Sequence, residues 1–206
     1  MPAKALDRIK HLLNQGIIYD LGQPYHVGMP HYALHPPFAF TLARKHGDYV
    51  YGDKVSAAAE IYTTGGHTGT HLDSLGHISK DGRLFGGLEA SKVQDYSRGL
   101  KRRGIDETAP ILGRGVLLDI AGLKGLEALA GGYTVTPKDC REALARQAVK
   151  IEEGDTVLIR TGWAQYWNQP ELFITNPDGA PGPRSASRPL AGLPGHSIRG
   201  LRYGGL

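Results

Sequence analysis

Gly65-Gly66-His67-Thr68-Gly69-Thr70-His71-Leu72-Asp73-Ser74-Leu75-Gly76-His77 gathers three histidines and one aspartate within eleven positions, with almost no other charge among them. Imidazole and carboxylate are the ligands that divalent transition metals take. The glycines at 65, 66, 69 and 76 loosen the backbone enough to bring such side chains together. A helix would put His67 and His71 on one face but turn Asp73 away. A strand would point all four side chains the same way. It would also hold His67 and His77 roughly 33 Å apart at about 3.3 Å per residue. The spacing therefore predicts a bent segment: a turn at Thr68-Gly69-Thr70 folds His67 back toward His71 and Asp73, and His77 lies past a second bend at Gly76. A structural hydrogen-bond cluster of the same four residues is the alternative.

The stretch resembles the signature of the cyclase-like metal-dependent hydrolases, the family of bacterial kynurenine formamidase and isatin hydrolase, His-x-Gly-Thr-His-x-Asp-x-Pro-x-His. It departs from that pattern at Leu75, which stands in place of a proline that shapes the loop. Weaker similarity extends over Asp20–Pro24, Gly115–Asp119 and Gly154–Trp163. The resemblance implies that His67, His71 and Asp73 hold Zn2+ or Mn2+, that Asp73 can bridge two ions, and that His77 takes up and delivers protons. His77 as a fourth ligand or a supporting residue stays open. A divalent ion brings the pKa of its water near 7, and an imidazole with an ordinary pKa near 6.5 suits proton transfer to a leaving nitrogen. The implied activity is hydrolysis of a C–N bond in a small amide or cyclic amide, arylformamidase-like, as in tryptophan catabolism through N-formylkynurenine. The implied fold is a swivelling β/β/α barrel-like domain. The family completes its site with a histidine and a glutamate from the C-terminal third. Here the only later histidine is His196, and no glutamate follows Glu171. Two other functions stay in view: a non-haem iron oxygenase built on His71 and Asp73 with His196, and a catalytically impaired metal-binding remnant.

At 206 residues and 40% hydrophobic the chain can form one sizeable core. The reading is a hydrolase domain over 1–175 and a Gly/Pro/Arg-rich tail over 176–206. That tail has seven glycines, five prolines and four arginines, and little to bury. It reads as disordered, as a shifted reading frame or truncation of a longer parent, or as a flexible basic tail. Most of the net charge of +4 comes from its arginines, which removes the case for nucleic acid, and Lys101-Arg102-Arg103 reads as a solvated face. The lone Cys140 excludes an internal disulfide and reads as a small buried apolar residue. No apolar run approaches the ~20 residues of a membrane span, and the N-terminus lacks a signal-peptide core, so a cytoplasmic location is expected. The expected partners are a small-molecule substrate and further copies of the chain, as a dimer or tetramer.

The periodicities mix helices and strands, an α/β or α+β class. Residues 3–15 read as an amphipathic helix stopped by Gly16, and Ile17–Leu21 as a short strand. Residues 22–38, rich in proline and aromatic residues, read as a loop lining a pocket with Tyr25, Tyr32, Phe38, His26, His31 and His35. Val55–Thr63 leads in β-conformation to the metal segment. Val116–Ile120 and Thr156–Ile159 read as buried strands. Thr136 caps a helix with Pro137 at its first position, running to about Val149 and burying Cys140, Leu144 and Ala148.

Overall fold

The glycine-bounded apolar runs pair with each other. In the computed structural model, which describes residues 16–174 and 176–183 together with Asp7, Lys10, His11, Leu13 and Asn14, β5 (Gly115–Asp119) lies parallel to β6 (Thr156–Arg160), Val116 opposite Val157 and Leu118 opposite Ile159. Parallel strands cannot be joined by a tight turn. The crossover here contains α2 (Ile120–Leu123) and α3 (Pro137–Arg146). Before them in the chain come β1 (Ala39–Arg44), β2 (Ala59–Thr63), α1 (Ala90–Val93), β3 (Gln94–Asp95) and β4 (Gly99–Leu100), and α4 (Pro170–Ile174) follows. The class is mixed α/β. The six strands form three separate two-stranded sheets, and no closed barrel forms among the described residues.

Alternation along β5 decides its two faces. Val116 and Leu118 turn inward to a core shared with Ile120, Ala121, Leu129, Val135, Cys140, Ala143 and Val157, as successive strand side chains must. Leu117 points the other way and is about half exposed, so the strand expected to be buried on both faces is open on one. The start of α3 is a capping box: the Thr136 hydroxyl accepts from the Asp139 amide and the Asp139 carboxylate accepts from the Thr136 amide. Lys124 Nζ sits 2.6 Å from the same carboxylate, and the Tyr133 hydroxyl donates to it at 3.1 Å. Burial pushes the Asp139 carboxyl up, but the bonds from Lys124, Thr136 and Tyr133 outweigh it and leave it at about 2. The helix stops at Arg146 rather than Val149, because Ala148 adopts φ +51°. Ala143, not Ala148, completes its buried stripe, and Leu144 is half-buried.

Three further expectations change. Ile17–Leu21 forms no strand, and Ile18 is 88% exposed. β2 begins at Ala59, not Val55, and pairs antiparallel with β1 as a ribbon exposed on both faces. Of the helix read over 3–15, Asp7, Lys10, His11 and Leu13 are helical, Gly16 follows with φ +68°, and the other positions lie outside the described residues.

A second core joins Met29 to Trp163, Trp167 and Phe173, with Phe38 and Ala180 against it. Its two tryptophans sit on the turn Trp163–Tyr166 and just after it. Trp163 Nε1 donates to the Phe173 carbonyl, and Trp167 Nε1 to that of Pro24. Residues 176–183 join the 132–135 segment through bonds from Gly132 to Gly179 and between Gly182 and both Tyr133 and Val135. The remainder of the tail, His196 included, lies outside the described residues. Among the described residues no helix is long and apolar enough to cross a membrane.

Candidate metal centre

β2 ends at Thr63 and releases the chain into a run of bends, with no helix or strand from Thr64 to Ser79. The bent segment expected from the spacing is what forms. Gly69 supplies the reversal with φ +57°, a conformation that costs other residues about 1–2 kcal/mol. The His71 ring reaches back and donates from Nδ1 to the Gly69 carbonyl at 2.8 Å, which leaves Nε2 as its lone-pair atom. Fixing one ring nitrogen in this way is how metal-binding histidines are usually oriented.

His71 Nε2 then lies 2.9 Å from His67 Nδ1 and 3.1 Å from Asp73 Oδ1, and His67 Nδ1 lies 3.0 Å from Asp73 Oδ1. Two imidazole nitrogens and a carboxylate oxygen thus form a nearly equilateral triangle around one point. Donors about 2.1 Å from a common divalent ion have such separations when neighbouring bonds stand near a right angle. The side chains of His67 and His71 are 13% and 11% exposed, so the three polar atoms converge where little water reaches them. This donor set fits a divalent cation, and among the described residues these three form the one such group.

His77 stands beside the group rather than in it. Its ring stacks on His67 with centroids 4.5 Å apart, and Nε2 is 4.0 Å from Asp73 Oδ1. Burial pushes the His77 imidazole down; the Asp73 charge pulls the other way without cancelling it, so the ring is neutral at pH 7. Burial alone would raise the Asp73 carboxyl, but the His67 hydrogen bond and the charges of His67, His77 and His71 hold it below its usual range. His77 owes its place to a close approach at Gly76. The Gly76 amide donates to the Arg103 carbonyl at 2.9 Å, and a Cβ on Gly76 would come 2.6 Å from Leu100 Cδ1. The basic run thus divides: Lys101 and Arg102 pair with Asp95 and Glu107 at the surface, while Arg103 turns in beneath the metal segment.

A cavity of about 890 Å³ opens beside the group, with His67 and His71 in one wall and Trp163, Trp167, Phe173 and Leu158 among the others. Asp73 and His77 do not line it. From the aromatic loop, His31 and Tyr32 reach the cavity. The other four named there are placed behind it: His35 against His67, His26 against Trp167, Phe38 in the second core, and Tyr25 under the metal segment. The tryptophan and phenylalanine wall was not legible as a binding surface. Its one local signal is the clustering of Trp163, Tyr166, Trp167 and Phe173 within eleven residues.

The surroundings agree with a known fold. A protein whose crystal structure is described as a novel cyclase is 27% identical, with a TM-score of 0.71, over 81% of this chain and 56% of its own. The chain thus spans little more than half of that protein's length. Isatin hydrolase A from Ralstonia solanacearum superposes with a TM-score of 0.61 at 22% identity, over 91% of this chain and 67% of its own. An isatin hydrolase bound to the product analogue thioisatinate does so with a TM-score of 0.60 at 18% identity, over 91% and 68%. No curated protein matches the chain. The sequence profile of the Cyclase family matches residues 19–202, through the metal segment and both parallel strands, and the chain belongs to that family.

Proposed function

We propose that the chain is a metal-dependent hydrolase that opens a C–N bond in a small amide or cyclic amide, with His67, His71 and Asp73 holding Zn2+ or Mn2+. The observation that supports this most directly is the convergence of three donor atoms within 3.1 Å of one another beside an aromatic-walled cavity. When bound, a divalent ion supplies Lewis-acid polarisation and an acidified water. His67 and His71 present that ion to the cavity. Asp73 supplies the negative charge that keeps a dication in place. His77, neutral at pH 7, accepts a proton at Nε2 and returns it to the departing nitrogen. The tryptophan wall excludes water and gives a flat, apolar face to an aromatic substrate.

The isatin hydrolases among the structural relatives favour a cyclic amide, and an arylformamidase-like activity on N-formylkynurenine is the open-chain form of the same chemistry. Purified protein assayed with isatin and with N-formylkynurenine, before and after chelation, tests the reading. Metal-dependent turnover that His71→Ala and Asp73→Ala abolish supports it; full activity in those variants ends it. Two imidazoles and one carboxylate are also the donor set of non-haem iron oxygenases, now with His67 in the place expected of His196. Oxygen uptake in the same assay separates the two, since hydrolysis consumes water alone.

A further inference from the structure

Metal binding by this segment depends on how its backbone is held, and the residue that holds it lies more than forty positions away. The Tyr25 hydroxyl donates to the Thr68 carbonyl at 2.9 Å, with the Thr70 carbonyl next nearest at 3.4 Å. Its ring lies over Gly69 so closely that a Cβ there would stand 2.6 Å from Cε1 and 3.1 Å from Cζ. Two neighbouring contacts clasp the same turn: the Gln23 amide donates to Thr70 Oγ1 at 2.9 Å, and the buried Thr68 hydroxyl donates to the Pro30 carbonyl at 3.1 Å. The carbonyl between Thr68 and Thr70, that of Gly69, is the one that orients the His71 ring.

We infer that Tyr25 is a positioning residue for the metal centre: its hydroxyl and ring fix the Thr68-Gly69-Thr70 turn so that Gly69 presents its carbonyl to His71 Nδ1 and His71 Nε2 meets His67 and Asp73. Its action on the metal, which rests on the function proposed above, passes wholly through the turn, because Tyr25 touches no donor atom of the triangle. Removing the hydroxyl frees the Thr68 carbonyl, lets the Gly69 carbonyl rotate and loosens the His71 tautomer. Supporting partners of this kind change metal affinity about 10–100-fold when removed, and Tyr25→Phe, which keeps the ring, falls at the lower end.

The test compares Tyr25→Phe with Tyr133→Phe, which removes a phenol hydrogen bond of similar length to Asp139, beside the core on β5 and outside the metal segment. Zn2+ and Co2+ affinities are measured by chelator competition. The ring nitrogens of the metal-free proteins are read from long-range 1H–15N spectra. The expected result is a rise of about 10-fold in the metal dissociation constant for Tyr25→Phe, less than 2-fold for Tyr133→Phe, and a His71 signal that leaves the Nδ1–H tautomer in Tyr25→Phe only. Unchanged affinity and an unchanged His71 tautomer in Tyr25→Phe overturn the inference, as do equal effects of the two variants. A wild-type protein that binds neither ion ends the proposed function instead, and the tautomer comparison in metal-free protein still decides the role of Tyr25.

Discussion

Gly162→Ala, set against Gly154→Ala, asks what a methyl group costs when only its surroundings differ. Both glycines hold positive φ, +78° and +85°, so both substitutions carry the same conformational penalty of about 1–2 kcal/mol. Around Gly154 a Cβ would meet nothing within 4 Å. At Gly162 it would run into the Glu127 carbonyl oxygen and stand 2.6 Å from the Ala128 Cα. Those atoms are backbone and cannot rotate aside, so the two segments must separate. Separation adds about 1–3 kcal/mol of overpacking and strains the bond from the Leu129 amide to the Thr161 carbonyl, 2.9 Å long, worth about 1 kcal/mol. The totals are about 3–6 kcal/mol for Gly162→Ala and about 1–2 kcal/mol for Gly154→Ala. For a chain of this size each kcal/mol lowers Tm by about 2–4 °C. Urea unfolding followed by tryptophan fluorescence measures both. Because Gly162 precedes Trp163, its variant also shifts the native emission as the cavity wall moves. Equal destabilisation by the two substitutions would refute the reasoning, since it would mean that the 127–128 backbone gives way freely.

Leu118, fully buried between β5 and the crossover, loses about 2–5 kcal/mol on truncation to alanine, while Leu117→Ala on the open face loses under about 1 kcal/mol; matching urea midpoints would contradict the assignment of faces. The Asp139 carboxyl, lowered to about 2 from 3.8, contributes stability that is complete above its unfolded value and lost as pH falls through the folded one. Asp139→Asn is therefore less stable than the wild type by about 2 kcal/mol at pH 7, and the gap narrows between pH 4 and pH 2; a gap constant with pH would show that the carboxylate charge is not its source. Burial pushes the Cys140 thiol up to about 11, so an aromatic disulfide reagent at pH 8 should leave it unmodified until urea opens the core.

The convergence of His67, His71 and Asp73 was legible because all three fall within one short stretch, where glycine positions and residue parity constrain how the chain can bend. The wall and the clasp were not, because Tyr25, Arg103 and Trp167 reach the site from segments whose local patterns record only that they are loops. The β5 and β6 runs announced themselves by their apolar content, yet periodicity could not say that Leu117 would face outward. That depends on which neighbours cover the sheet. Ile17–Leu21 is the converse: its composition suits a strand, but a strand needs a backbone ladder, and the described residues form none there.

Leu75 shows how far a local departure can be offset from a distance. Proline at that position would stiffen the second bend by fixing one backbone angle. With leucine there, about half exposed, the bend is held instead by hydrogen bonds on either side. The His77 amide donates to the Ser74 carbonyl at 3.1 Å, the Gly76 amide lies 3.3 Å from Ser74 Oγ, and the same amide donates to the Arg103 carbonyl at 2.9 Å. Two of these are local and hold only the turn. The third ties the turn to a segment 27 residues on, and it can form because Gly76 has no side chain to keep Leu100 and Arg103 away. Ordering a residue's backbone costs about 1–2 kcal/mol, so a segment whose own hydrogen bonds are this few holds its shape through docking. At both bends of the metal segment the same arrangement recurs, a glycine pressed against a distant residue. His67, His71 and Asp73 therefore carry the donor atoms, and the close contacts that hold their backbone in place come from Tyr25 and Arg103.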